Sequence, residues 1–358
     1  MGPVKHLYFS GVSTLDIEWL KKKSPLDILI PFHHLVSDEP IPAIKRLYSF
    51  KNSRQFEEDL DYLLRYFKPV SVPEIIERQR RGIPFDSKRF LLTFDDGLRQ
   101  IYEVVAPILW RKGVPAALFV NPSFVDNKEL FYDLKKGLIL DRLAGLAGLA
   151  GQHSRLPPGL PSGKQIFTEA GSMFGQTFSS YAKLETAIRS INYLNRSLTD
   201  KLGCLLELDF ESFRKEKKPF MTKDEIKILS GKDFSIGAHS IDHPLYSLVG
   251  PQEQLRQTLE SADWVANTFD QSYKTFAFPH VDTGVSHAFF QQLVGEESSR
   301  PPLDLILGNT TGMMEQHPRV FHRFIGENPA IPAAKMIKAV LAYSIFRKKL
   351  GKSYVKRK

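Results

Sequence analysis

Phe90-Leu91-Leu92-Thr93-Phe94-Asp95-Asp96-Gly97 is the most informative stretch of the chain. Its first five residues are apolar apart from one β-branched Thr and contain no Pro or Gly, so they read as a buried strand. That strand runs directly into two adjacent carboxylates and a glycine. From Leu98 onward, apolar residues at 98, 101, 104, 105, 108 and 109 mark one face of a helix. Asp95 and Asp96 therefore lie where a strand ends and a helix begins, and Gly97 suits the tight reversal there. In folds of parallel strands and helices, that edge is where ligands bind. Taken alone, Asp-Asp-Gly is more often a turn or a helix cap, because Asp side chains accept backbone N–H bonds.

A second stretch changes the balance: Phe234-Ser235-Ile236-Gly237-Ala238-His239-Ser240-Ile241-Asp242-His243-Pro244. A short strand again ends in polar residues. Pro is tolerated in the first helical turn, so His243 is expected at a helix start. His239 then ends the strand, with Ser240 to Asp242 as the turn. Two imidazoles and a carboxylate from another strand end, aimed at one point, make a three-ligand site with open positions.

Thr93-Phe94-Asp95-Asp96-Gly97 and His239-Ser240-Ile241-Asp242-His243-Pro244, in this order, resemble two motifs of the polysaccharide deacetylase family (NodB homology, carbohydrate esterase type). The resemblance implies that Asp96, His239 and His243 bind a divalent metal, zinc first, with cobalt, manganese or nickel as alternatives. It implies that Asp95 is the catalytic base. The implied fold is α/β: a distorted (β/α) barrel, here of about seven parallel strands, with a mostly helical insertion. The implied activity is metal-dependent removal of N-acetyl groups from an N-acetylated sugar, oligosaccharide or polysaccharide. A non-catalytic glycan-binding relic and a hydrolase of another small amide are the alternatives.

The chain departs from the family pattern in two places. Where the third motif carries Arg-x-Pro-aromatic, this chain has Ala277-Phe278-Pro279-His280, keeping the Pro and lacking the Arg. Arg323, at a late strand end, is the candidate partner for Asp95, with Arg319 behind it. The late motif that supplies a general acid has no clean match; His322 and His317 are the leading candidates and His280 follows. Phe32-His33 matches an aromatic-His pair found at the first strand end of such proteins, which puts His33, with Pro279 and His280, on the substrate side of the site.

Around these motifs the chain reads as a lead segment (1–25), the deacetylase-like domain (26–345) with the insertion at about 126–220, and a basic tail (346–358). Expected strands are 26–32, 70–72, 90–94, 115–120, 234–238, 275–278, 303–307 and 320–325. Ser53 is expected to cap a helix through Phe67, Thr222-x-x-Glu225 fits a capping box, and 252–269 and 332–346 read as helices. Residues 156–163, rich in Pro and Gly, read as a loop.

The 358 residues carry a formal charge of +9, much of it in Lys21-Lys22-Lys23 and in Arg347 to Lys358. Basic tails are usually solvated, and no nucleic-acid partner is expected. The single cysteine, Cys204, excludes an intramolecular disulfide and a cysteine-based metal site. No apolar run approaches the roughly 20 residues of a membrane span, and no leader pattern stands at the start. Cytoplasmic location is the resulting expectation. Oligomeric state is left open.

Overall fold

Eleven short strands appear in the computed structural model, which describes residues 11–12, 14–151, 161–295 and 301–357. They are β1 (Ile28–Leu29), β2 (Pro31–His33), β3 (Lys68–Pro69), β4 (Arg89–Phe90), β5 (Leu92–Phe94), β6 (Ala116–Val120), β7 (Phe234–Ala238), β8 (Thr275–Ala277), β9 (Leu305–Gly308), β10 (Val320–His322) and β11 (Phe324–Ile325). Eight of them form one parallel sheet in the order β10-β9-β8-β7-β6-β5-β2-β11. The two ends of that order are one piece of chain. Val320–His322 pairs with Ile306–Gly308, and after Arg323 the same segment pairs with Pro31–Phe32. The sheet therefore curls into a nearly closed barrel of seven chain segments, with Arg323 at the changeover. β1, β4 and β3 form a small side sheet.

Alternation along the strands divides the core. Ile28, Ile30, Leu91, Ala117, Phe119, Ala277, Leu305 and Leu307 pack together inside. Residues of the opposite parity, among them Leu29, Phe90, Leu92, Phe94, Leu118, Ile236 and Ile306, belong to the larger core shared with the helices. Gly237 has the inner parity. A Cβ there would lie 2.4 Å from Thr275 Oγ1 and 2.5 Å from the Phe119 ring, so only glycine fits.

Several local expectations shift, each for a physical reason. The helix Ser53–Tyr66 is capped by Asn52, which forms a capping box with Gln55, while the Ser53 hydroxyl is taken by Asp38 at 2.8 Å. The strand expected at 70–72 lies at Lys68–Pro69; Ser71 instead caps the helix Val72–Arg81, accepting from Glu74 N. Leu98 does not open a helix but forms an antiparallel bridge with Phe220. The first helical turn, Ile101–Val105, is a wide π turn that leads into Ala106–Lys112. Pro107 has no N–H to donate to the preceding turn. His243, in left-handed backbone (φ 64°), and Pro244 belong to no helix, and the next regular turn is only Tyr246–Leu248. The Thr222–Glu225 capping box is present. In the lead segment Ile17–Lys23 is helical, capped by Asp16.

The chain divides into two compact units: Met1–Asp38, Phe50–Asp126 and Phe220–Lys358, which hold the barrel, and Glu39–Ser49 with Asn127–Pro219. The second is helical. Helices Tyr132–Gly151, Gly163–Phe174, Tyr181–Arg189, Leu198–Leu205 and Phe210–Lys217 enclose a core that includes Ile139, Leu143, Ile166, Ile188 and Leu202. Leu143 to Gly151, three successive Leu-Ala-Gly triplets, form the end of its first helix. Gly137 on that helix meets Ala43 backbone to backbone: a Cβ there would overlap the Ala43 carbonyl. Nothing in the sequence of 39–49 signalled that attachment. Residues 156–160 of the expected loop, and 1–10 and 13 of the lead segment, lie outside the described residues.

Candidate active site

Every barrel strand runs the same way, so the chain leaves the sheet repeatedly at one edge. Asp95 and Asp96 follow β5, Asn121 follows β6, His239 follows β7, Pro279 and His280 follow β8, and Asn309 follows β9. Left-handed backbone concentrates here: Asp96 (φ 67°), Gly97 (70°), Ser240 (67°), His243 (64°) and His280 (54°). For residues with a side chain this conformation is costly, of order 1 kcal/mol each, and is kept where the surroundings enforce it.

The enforcing contacts are on hand. Asn121 Nδ2 donates to the carbonyls of His239 and of Ser240, the latter at 3.1 Å. The His243 N–H donates to Ser240 Oγ at 3.0 Å. From the helix Pro251–Thr268, buried Gln257 accepts from Ile241 N at 2.8 Å and donates to Asp242 at 2.7 Å. The His-x-x-x-His turn is thus pinned from two sides.

Asp96, His239 and His243 converge as the spacing suggested. Asp96 Oδ1 lies 3.2 Å from His243 Nε2 and 3.6 Å from His239 Nε2, and His239 Nε2 is 3.8 Å from Asp95 Oδ2. One ligand atom from each of Asp96, His239 and His243 falls within 4.8 Å of the others. His239 donates from Nδ1 to the Ala277 carbonyl at 2.8 Å, so Nε2 turns its lone pair toward the carboxylates. Burial pushes this ring down to about 4, which keeps it neutral near pH 7. A neutral imidazole lone pair facing a buried carboxylate is unfavourable unless a cation lies between them. One carboxylate and two imidazoles, with the Ala277 carbonyl fixing the tautomer of His239, are a donor set suited to a divalent transition ion.

Asp95 has a different partner. Its Oδ1 accepts from Arg323 Nη1 at 2.6 Å, and both side chains are almost fully buried. Burial alone would raise this carboxyl; the Arg323 guanidinium and the nearby imidazoles hold it below the usual carboxylate range. Arg323 lies between the faces of Phe32 and Phe119, 4.8 and 5.6 Å from their centroids. The guanidinium therefore reaches Asp95 from the closing strand and not from position 277.

Other candidates land elsewhere. His322 precedes Arg323 on an extended strand, so it faces the other way. It is buried outside the barrel, where Nδ1 accepts from Thr310 N at 3.2 Å and Nε2 lies 3.5 Å from Glu315. His317 and Arg319 come before β10 and stand at the opposite edge from Asp96; His317 Nδ1 accepts from Arg319 N. His33 also has outer parity. Its ring packs on Phe56 and Phe94, and burial pushes it down to about 3. His280 does reach the cluster, its ring 4.5 Å from that of His243, with buried Pro279 before it.

The residue missed is His34, one step past His33 and on the inner side. Its N–H and Nδ1 both bond to Glu327, each at 2.9 Å. Burial lowers its affinity for a proton, but Glu327, with Asp96 and Asp95, outweighs this and lifts it to about 10. Strand alternation could have singled it out: with Phe32 inside and His33 outside, His34 returns to the site.

The polysaccharide deacetylase family model matches residues 82–145. Poly-beta-1,6-N-acetyl-D-glucosamine N-deacetylase of Escherichia coli K12 is 37% identical over 94 residues, which is 26% of this chain and only 14% of that protein's length. Two solved structures share the fold: Streptococcus pyogenes deacetylase PplD in complex with acetate (TM-score 0.53, 13% identity, 88% of this chain and 99% of that one) and a de-N-acetylase from Aggregatibacter actinomycetemcomitans (TM-score 0.52, 12% identity, 87% and 99%). Both motifs stand intact at one edge of a barrel whose fold these structures share, and the likeness to the polysaccharide deacetylase family itself lies in residues 82–145.

Proposed function

We propose that this protein removes acetyl groups from N-acetylglucosamine units of a glycan, with a divalent metal at Asp96, His239 and His243. The observation that carries this reading is the convergence of that donor set beside Asp95, itself held by Arg323. The E. coli relative's name points to a β-1,6-linked polymer as the first substrate to try.

A bound divalent cation would polarise the amide carbonyl and make a water more acidic. Asp95, kept ionised by Arg323, takes the proton of that water as its oxygen attacks the carbonyl carbon. The C–N bond then breaks as a proton passes to the departing nitrogen. His34 is our donor for it, because Glu327 keeps the ring charged through neutral pH. Acetate and a free sugar amine result. His280, exposed beside His243, is on the substrate side.

The test is acetate release from β-1,6-linked N-acetylglucosamine oligomers by metal-stripped protein given zinc or nothing. Release should require metal. Asp95→Asn and His34→Gln should each lower kcat by about a hundredfold or more while zinc content stays the same. Zinc-loaded protein that releases no acetate from any N-acetylated sugar would overturn the reading.

A further inference from the structure

The Arg323 guanidinium is held in an unusual way. The faces of Phe32 and Phe119 limit its tilt but leave it free to rotate in its own plane. Three hydrogen bonds restrict that rotation: Nη1 to Asp95 at 2.6 Å and to Thr93 Oγ1 at a long 3.5 Å, and Nε to Asn309 Oδ1 at 3.0 Å. Nη2 is buried with no hydrogen-bond partner among the described residues. After Asp95, Asn309 is therefore the shortest anchor among the described residues, and it holds the guanidinium at a different nitrogen from Asp95 and Thr93. Its amide cannot flip, because Nδ2 donates to the carbonyls of Phe278 and His280, at 3.1 and 2.6 Å. One side chain thus sets both the base's cation and the loop that carries His280.

Asn309 is braced in turn. Its N–H donates to Asp282 Oδ1 at 3.0 Å. Asp282 Oδ2 and Glu315 Oε2 each lie 2.7 Å from Arg357 Nη2, and the Arg357 guanidinium stacks 3.8 Å from the Phe290 centroid. The tail is led there by backbone bonds, Met314 N to Ser353 O and Val355 N to Met314 O, both 2.9 Å. Arg357 is about as buried as a core residue, with 5% of its side chain exposed. It is not part of a solvated tail.

We propose that Asn309 is a positioning residue for the hydrolysis, aligning Arg323 on Asp95, and that Arg357 at the C-terminal end holds Asn309 through Asp282. This rests on the reading of Asp95 as the base. It requires contiguous contacts, all of them present, and it predicts energetic coupling between two residues that do not touch.

Wild type, Asn309→Ala, Arg357→Ala, Arg357→Lys and the double alanine variant would be compared in kcat, KM, zinc content and melting temperature. Asn309→Ala should lower kcat by about ten- to a hundredfold, the scale of an ångström-level misplacement, with KM within about threefold and zinc content unchanged. Arg357→Ala should lower kcat less, Arg357→Lys should restore most of it, and the double variant should be no worse than Asn309→Ala alone. Unchanged kcat in Asn309→Ala overturns the proposal. Additive losses, or no rescue by Lys, overturn the Arg357 branch. If Asn309→Ala does not fold, Arg357→Ala against Arg357→Lys decides. A zinc-loaded wild type that is silent on every N-acetylated sugar sinks the base assignment itself, and this proposal with it.

Discussion

Arg323 and Asp95 are two opposite charges buried together, and such pairs are felt most when one member is removed. Arg323→Met should destabilise the fold by about 3–5 kcal/mol, because it strands an uncompensated carboxylate. Adding Asp95→Asn should recover most of that stability in urea unfolding while activity stays absent. An equal loss in both variants would mean that guanidinium packing, and not charge, dominates. Arg323 could be read from sequence because it is a cation near a late strand end in a chain lacking the motif arginine. His322 and His33 could not be sorted so easily. Side-chain identity suggested a role for each, but strand parity decides which face it occupies, and parity is knowable only once the inner residues are known. Phe32 and Arg323 face in, so their neighbours face out.

Among the elements, β7 carries the heaviest demand. It ends in His239, it lies between β6 and β8, and its Gly237 lets Phe119 and Thr275 occupy the space inside. Gly237→Ala should cost about 1–3 kcal/mol through overpacking, read as a lower urea midpoint. Because β7 also aims His239, zinc affinity should fall as well. A midpoint equal to wild type would show that the barrel interior yields there. The strand-to-ligand order was legible throughout, since apolar runs ending in Asp or His need no tertiary information. The segment after His243 was not. Pro244 fits a helix start and an extended turn equally well, and the left-handed backbone of Ser240 and His243 is imposed by Asn121 and Gln257, which lie 119 and 17 residues from Ser240.

At the scale of the whole molecule, a ligand that binds only the folded state adds to its stability. With zinc at a hundred times its dissociation constant the gain is about 2.7 kcal/mol. Melting temperature should therefore rise when zinc is returned to chelated protein, and Asp96→Asn should show no such rise. A rise of equal size in that variant would place the ion elsewhere. The barrel class could be inferred from two motifs and a strand–helix rhythm. The make-up of the helical unit could not: Glu39–Ser49 joins it by backbone contact at Gly137, and such an approach leaves no hydrophobic pattern to read.

The segment Val320–Ile325 pairs with β9 on one side and β2 on the other, with Arg323 between the two pairings. The last stave to leave the ribosome is therefore also the one that brings the counter-charge to Asp95. A growing chain that has laid down Asp95, Asp96, His239 and His243 already holds the donor set, yet its base has no cation beside it until the circle closes. On the proposed mechanism, activation of the base and completion of the barrel become a single event, so a half-made or unlatched molecule would lack the charged pair the reaction needs.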